Sequence, residues 1–172
     1  MSISENEIGS AIPQEFSVSV IMQQSPSSNI WVSKQWEVVG ILAAKRRTTA
    51  ESEVELIHQE GEVCRYLYSG FTLRLHVDEC ESYYHNLLST EPRCYVVATE
   101  SDDGVPTPFL VSFSFDEAHA YLEGDETVYA VAVTPEIYRW AETFVLTHYV
   151  PTKRTKRKRA DWKMSTERPH GS

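Results

Sequence analysis

Glycine is scarce in this chain, with 7 in 172 residues, and none stands in a G-x-G-x-x-G or Walker pattern. The common loops that cradle nucleotide phosphates with bare backbone amides are therefore excluded. There is no G-x-S-x-G elbow and no H-E-x-x-H pair, which removes the usual serine hydrolases and zinc peptidases. Cysteine is equally sparse: Cys64, Cys80 and Cys94 are odd in number and share no paired spacing. A disulfide framework or a structural zinc site needs such pairs, so the count fits a reducing compartment, and a cytoplasmic location is expected. No apolar run approaches the roughly 18–20 residues that cross a bilayer. The first residues, MSISENEIGSAIPQEF, lack the basic-then-apolar order of a signal peptide.

Positive charge is missing from most of the chain. Residues 1–150 carry 8 Lys and Arg against 23 Asp and Glu, a net of −15. Residues 151–172 carry 8 against 2, a net of +6, and together these make the −9 of the whole. An acidic body repels nucleic acid and anionic lipid, so contact with either falls to the tail.

What is present is a globular composition, 41% apolar and 24% charged, sized for one domain. Residues 1–14 are polar and aperiodic and read as a disordered arm; residues 15–151 form the domain; residues 152–172 read as a basic disordered tail. The stretch from Cys64 to Val97 is the best specified: a strand, a tight Ser69-Gly70 turn, a strand with Phe71, Leu73, Leu75 and Val77 on one face, a helix, and another strand. Asp78 and Glu81 are spaced for a capping box, with Cys80, Tyr83, Tyr84, Leu87 and Leu88 as the buried stripe.

Before this unit, Phe16–Met22 alternates as a strand and a second strand runs from about Ile30 to Leu42, together forming a hairpin. The segment from Ala43 to Glu62 fits a short amphipathic helix, a surface loop, or a strand with Val54, Leu56 and Ile57 inward. After it come a strand at Phe109–Phe113 and a helix opened by a Ser114/Glu117 capping box and closed at Gly124. A strand at Val128–Val133 follows, then a helix that begins at Thr134-Pro135-Glu136 and ends near Tyr149. Its inner side is assigned Ile137, Trp140, Ala141, Phe144, Val145 and His148. Hairpins without regular βαβ alternation predict an α+β fold: an antiparallel or mixed sheet of about six strands with about three helices, in a single domain.

Chemistry is poorly marked. His76 and Cys80 are close in sequence, but Cys80 and His85 lie about 140° apart on a helix, so no metal site is expected. Cys64 and Cys94 fall in or beside strands with nothing nearby to acidify a thiol, which reads as core rather than nucleophile. The paired carboxylates, such as Asp102/Asp103 and Asp116/Glu117, sit at helix starts and turns, where capping and solvation account for them. No catalytic residue, cofactor or metal is assigned. Aromatic residues near arginines are more informative, because Trp, Tyr and Arg dominate protein-binding hot spots. On this ground Trp31, Trp36, Arg65, Tyr66, Tyr68, Arg74 and His76 are the candidate partner-binding residues. Lys153, Arg154, Lys156, Arg157, Lys158 and Arg159 form a second candidate surface, for nucleic acid, anionic lipid or an acidic protein face.

The spaced pieces SVIMQQ, N-x-W, W-E-V-x-G and CRYLYSGFTLRLHVDECESYYHNL, followed by the Pro135–Tyr149 helix and a basic tail, resemble a bacterial family catalogued as domain of unknown function 3305. The likeness covers about residues 16–159. It implies, through gene neighbourhood, an association with molybdenum-dependent formate dehydrogenases and their accessory proteins. The expected function is thus a non-enzymatic accessory module that binds a dehydrogenase subunit or maturation factor. The alternative is a nucleic-acid-binding regulator acting through the tail, and a Cys/His redox or metal enzyme ranks last.

Overall fold

The computed structural model describes residues 12–44, 53–124 and 126–149. The basic tail and residues 1–11 of the arm lie outside them. Among the described residues, seven strands form two antiparallel sheets of four and three strands, not one sheet of six, and three α-helices accompany them. The first sheet has the order β2-β1-β4-β3, from β1 (Glu15–Pro26), β2 (Lys34–Ala43), β3 (Val54–Glu60) and β4 (Val63–Arg74). The second has the order β6-β5-β7, from β5 (Arg93–Glu100), β6 (Pro106–Ser112) and β7 (Thr127–Ala132). The sheets meet on both sides, β2 beside β7 and β4 beside β6.

Helix α1 (Cys80–Leu88) packs on α3 (Pro135–His148), and both feed the common core. Val18, Val20, Met22 and Leu73 of the first sheet meet Cys94, Val96 and Val111 of the second there. Tyr83, Ile137 and Phe144 complete it from the helices. The short α2 (Phe115–Ala120) lies against β5 and β6.

The Ser69-Gly70 pair is not a turn. β4 runs straight through it, and between Val18↔Phe71 and Val20↔Tyr68 two residues of β4 face one of β1. This is a β-bulge, with Gly70 at φ 95°, where a side chain is strained. A turn and a bulge use the same small, permissive residues, so the local signal is identical. The extra residue shifts the face parity by one. Odd-numbered Phe71 and Leu73 therefore share a face with even-numbered Tyr66 and Tyr68. Gly70→Ala is expected to lower stability by about 1–3 kcal/mol, read as a lower denaturant midpoint at unchanged slope.

Two more bulges do similar work. One on β2, at the step from Ile21↔Gly40 to Met22↔Val38, sets Ile41 and Val38 on the same face and leaves Val39 outside. The other, on β3, falls at Ile57. The uncertain segment before Glu62 thus contains a strand, but its Val54, Leu56 and Ile57 are exposed, not inward. The second strand also starts later than its sequence suggests, because Ile30 to Ser33 belong to the β1–β2 turn.

Asp78 does not cap α1. It lies inside a 3-10 turn, Val77–Glu79, that leads directly into the helix, and neither start has a side-chain cap. Cys80, Tyr83 and Leu87 are buried as the period requires, whereas Leu88 is exposed. Ser114 does cap α2, its Oγ accepting from the Glu117 amide at 3.2 Å. The reciprocal half of the box is relayed: Ser112 Oγ donates to Glu117 Oε2 at 2.8 Å and accepts from the Ser114 amide at 3.0 Å. Thr134 caps α3, accepting from the Ile137 amide with Pro135 in the first turn. Ile137, Trp140, Ala141, Phe144 and Val145 are buried, but His148 is exposed. Ile12 to Gln14, at the end of the expected arm, are tied down. Ile12 packs on the core, Trp140 Nε1 donates to the Pro13 carbonyl at 2.7 Å, and the Leu75 amide donates to the Gln14 carbonyl at 2.8 Å.

Candidate protein-binding site

The pairing register places Gln24 between Trp36 on one side and Cys64 on the other. The β1–β2 turn and the Gly61-Glu62 turn between β3 and β4 therefore project from the same end of the four-stranded sheet. Among the described residues that end carries the two most exposed large apolar side chains. Ile30 and Trp31 leave 89% and 86% of their surfaces open.

The turn that presents them is well defined. Asn29 Oδ1 accepts from the Trp31 amide at 3.0 Å, Ser27 Oγ accepts from the Asn29 amide at 3.1 Å, and the Val32 amide donates to the Asn29 carbonyl at 3.2 Å. Short Asn and Ser side chains bonding to nearby backbone are what hold such a turn. Its rim orders Trp31 without burying it.

Just inside the tip, Trp36 of β2 and Tyr66 of β4 approach across β1 with ring centroids 5.7 Å apart. Both are half-buried and pack on the margin of the core. On the same face, Leu56 of β3 pairs with Tyr66 and extends the apolar row to the sheet edge. Burial raises the phenol pKa of Tyr66, with the neighbouring Cys64 adding to the effect, so the ring stays a neutral hydrogen-bonding group. Tyr68 is 9% exposed and is a core residue, its phenol also raised by burial.

The opposite face is polar at this end. Arg65 Nε donates to Gln23 Oε1 at 2.9 Å, and Gln23 Nε2 donates to Glu37 Oε1 at 3.2 Å, a row crossing three strands. Arg74 lies at the far end of β4, paired with Glu15. His76 follows it, exposed, its amide donating to the Tyr83 hydroxyl at 3.0 Å. The seven candidates therefore divide. Trp31, Trp36 and Tyr66 share one end, Arg65 stands on the reverse face, Tyr68 is internal, and Arg74 with His76 lies at the other end.

Ile30, Val32 and Leu56 belong to the exposed end although the aromatic-arginine pattern does not single them out. The alternation that marks strands is blind to whether anything covers a face. A second group, Phe109, Phe115 and Tyr121, is exposed where α2 and the following 3-10 turn Tyr121–Gly124 cover the outer side of β5 and β6. There Phe115 stacks on His119 at 3.6 Å and meets Tyr95 edge-on.

Among the described residues no group of three or more His, Cys, Asp or Glu is arranged to hold a metal, and no helix is long and apolar enough to cross a membrane. The thiols do not gather. Cys94 is fully buried and Cys80 nearly so, and burial pushes both thiol pKa values up, with Asp78 adding to the effect at Cys80. Cys64 is half-buried at the exposed end. A thiol reagent on the folded protein is accordingly expected to modify Cys64 alone, and all three on unfolding. Peptide mapping after labelling checks this, and rapid labelling of Cys94 in the folded state would contradict the core assignment.

Comparison with known proteins adds one finding. The family model described as "Protein of unknown function (DUF3305)" matches residues 17–159. No curated protein and no solved structure matches the chain. The match takes in every strand and helix except the first two residues of β1, together with the basic run that follows α3, and the chain therefore belongs to the DUF3305 family.

Proposed function

We propose that this domain is a non-enzymatic accessory module that binds a protein partner through the Trp31 end of its four-stranded sheet. The partner is a subunit of a molybdenum-dependent formate dehydrogenase or a factor that matures one, the association implied by the family resemblance. The observation that carries the proposal is Trp31, 86% exposed at the tip of a turn held by its own hydrogen bonds. Large aromatic rings on rigid supports lose little conformational freedom on binding and dominate hot spots. Ile30 and Val32 flank it, and Trp36, Tyr66 and Leu56 supply a contiguous apolar shelf behind.

A pull-down from the native host, with the full-length chain as bait and mass spectrometry at low and moderate salt, tests the proposal. A dehydrogenase subunit or maturation factor retained at moderate salt is expected, since apolar contacts are only weakly screened. Nucleic acid in its place, released steeply as salt rises, would transfer the function to Lys153, Arg154, Lys156, Arg157, Lys158 and Arg159.

A further inference from the structure

β3 presents a surface that meets the Trp31 end only at Leu56, which pairs with Tyr66. It is the outer strand of its sheet, and among the described residues no strand pairs with the backbone N–H and C=O groups along its far edge. All seven of its residues are exposed, with Val54, Leu56 and Ile57 leaving 58%, 48% and 44% of their surfaces open. Glu55 and Glu60 lie among them, and Glu62 follows in the turn. Among the described residues, Arg65 bonds Gln23 on the reverse face, and His58 lies 3.7 Å from Glu60.

Open sheet edges are usually guarded by lysine, proline or a bulge. This one has a bulge at Ile57 but keeps three apolar side chains in an acidic setting. A second copy of the same edge would bring glutamates towards glutamates. An extended basic segment with an apolar anchor complements it in charge and in backbone hydrogen bonding alike.

The chain carries such a segment. Six of the seven residues from Lys153 to Arg159 are basic, and Trp162 follows. The family match runs to residue 159 and so spans this run. Reach is sufficient. The steps from Tyr149 to Trp162 extend over about 45 Å, against a diameter of about 35–40 Å for a compact domain of this size. Tethering at that length gives an effective concentration in the millimolar range, enough to populate even weak docking.

We infer that residues 152–172 dock in cis on the acidic, apolar edge of β3, with the Lys153–Arg159 run against Glu55, Glu60 and Glu62 and Trp162 against Val54 and Ile57. This contact closes the open edge and neutralises part of the acidic body.

Limited trypsin digestion of the full-length chain tests it, because the docked run holds most of the sites trypsin would otherwise cut first. Cleavage within Lys153–Arg159 is expected to be about tenfold slower in the wild type than in an E55Q/E60Q/E62Q variant at low salt. The difference should vanish at about 0.5 M salt, where screening is effective over a few ångströms. Trp162→Ala should give a partial loss of protection. All three glutamates are exposed, and an unchanged circular dichroism spectrum confirms that the variant keeps its fold. Equal cleavage of wild type and variant would overturn the inference. So would protection that grows with protein concentration, which would assign the edge to a neighbouring molecule. The digestion uses the isolated protein, so its outcome is independent of partner binding at Trp31.

Discussion

Trp31→Ala is expected to weaken binding of the dehydrogenase or maturation partner by about 30-fold or more while leaving the melting temperature within about 2 °C of wild type. The separation follows from exposure. Trp31 lends almost nothing to the core, and its turn is held by Asn29, Ser27 and backbone groups that the substitution leaves in place. In a complex the ring would remove on the order of 200 Å² of apolar surface from water, a gross gain of about 5 kcal/mol. Part of that is lost to immobilisation and imperfect packing, so a hot-spot effect of about 2 kcal/mol or more remains, which is the 30-fold change. Titration of the purified partner by calorimetry measures it. Trp31→Phe should recover much of the affinity, since it restores a large planar ring. An alanine variant that binds like wild type would remove the tip from the interface.

Phe144→Ala is expected to be the most damaging single truncation for the fold, at about 3–5 kcal/mol, or a fall of roughly 10–20 °C in melting temperature. Phe144 is fully buried on α3, in the core cluster shared by both sheets and α1. A cavity there can collapse only by moving a helix relative to two sheets, so relaxation is limited. Loss of stability within an otherwise unchanged two-state transition is the predicted pattern. A drop of under about 1 kcal/mol would mean that Phe144 does not sit in the shared core. Partner affinity, measured well below the transition, should be retained, since α3 supplies none of the residues at the Trp31 end.

The elements themselves were largely legible because most obey one period. Even-numbered Phe16 to Met22, the Thr134-Pro135-Glu136 helix start and the Cys80, Tyr83, Leu87 spacing each report local geometry that tertiary packing then uses unchanged. The misreadings occur where two structures share one local signal. Ser69-Gly70 serves a turn or a bulge equally well, and only the pairing with Val18 and Val20 decides between them. Asp78 is a good capping residue in a place where a 3-10 turn already feeds the helix, so its carboxylate has no orphan amide to satisfy.

Exposure was the less legible half of the candidate site. The aromatic-arginine grouping put Tyr68 beside Trp31, although one is buried in the core and the other stands at the tip of a turn. The segment before Glu62 is open in sequence between helix, loop and strand, and the strand reading carries an inward face for Val54, Leu56 and Ile57, all of which are exposed. The division into two sheets depends on which strands pair at long range, and β5, β6 and β7 carry no mark of it in their own sequences.

The most direct test of the Trp31 end as a protein-binding site is photo-crosslinking in the native host from a benzophenone side chain placed at position 31, with the same group at Phe109 on the other sheet as the comparison. Covalent capture of a formate dehydrogenase subunit or maturation factor is expected from position 31, and little or none from position 109. Equal yields from both positions, or capture only from a probe placed in residues 152–172, would contradict it.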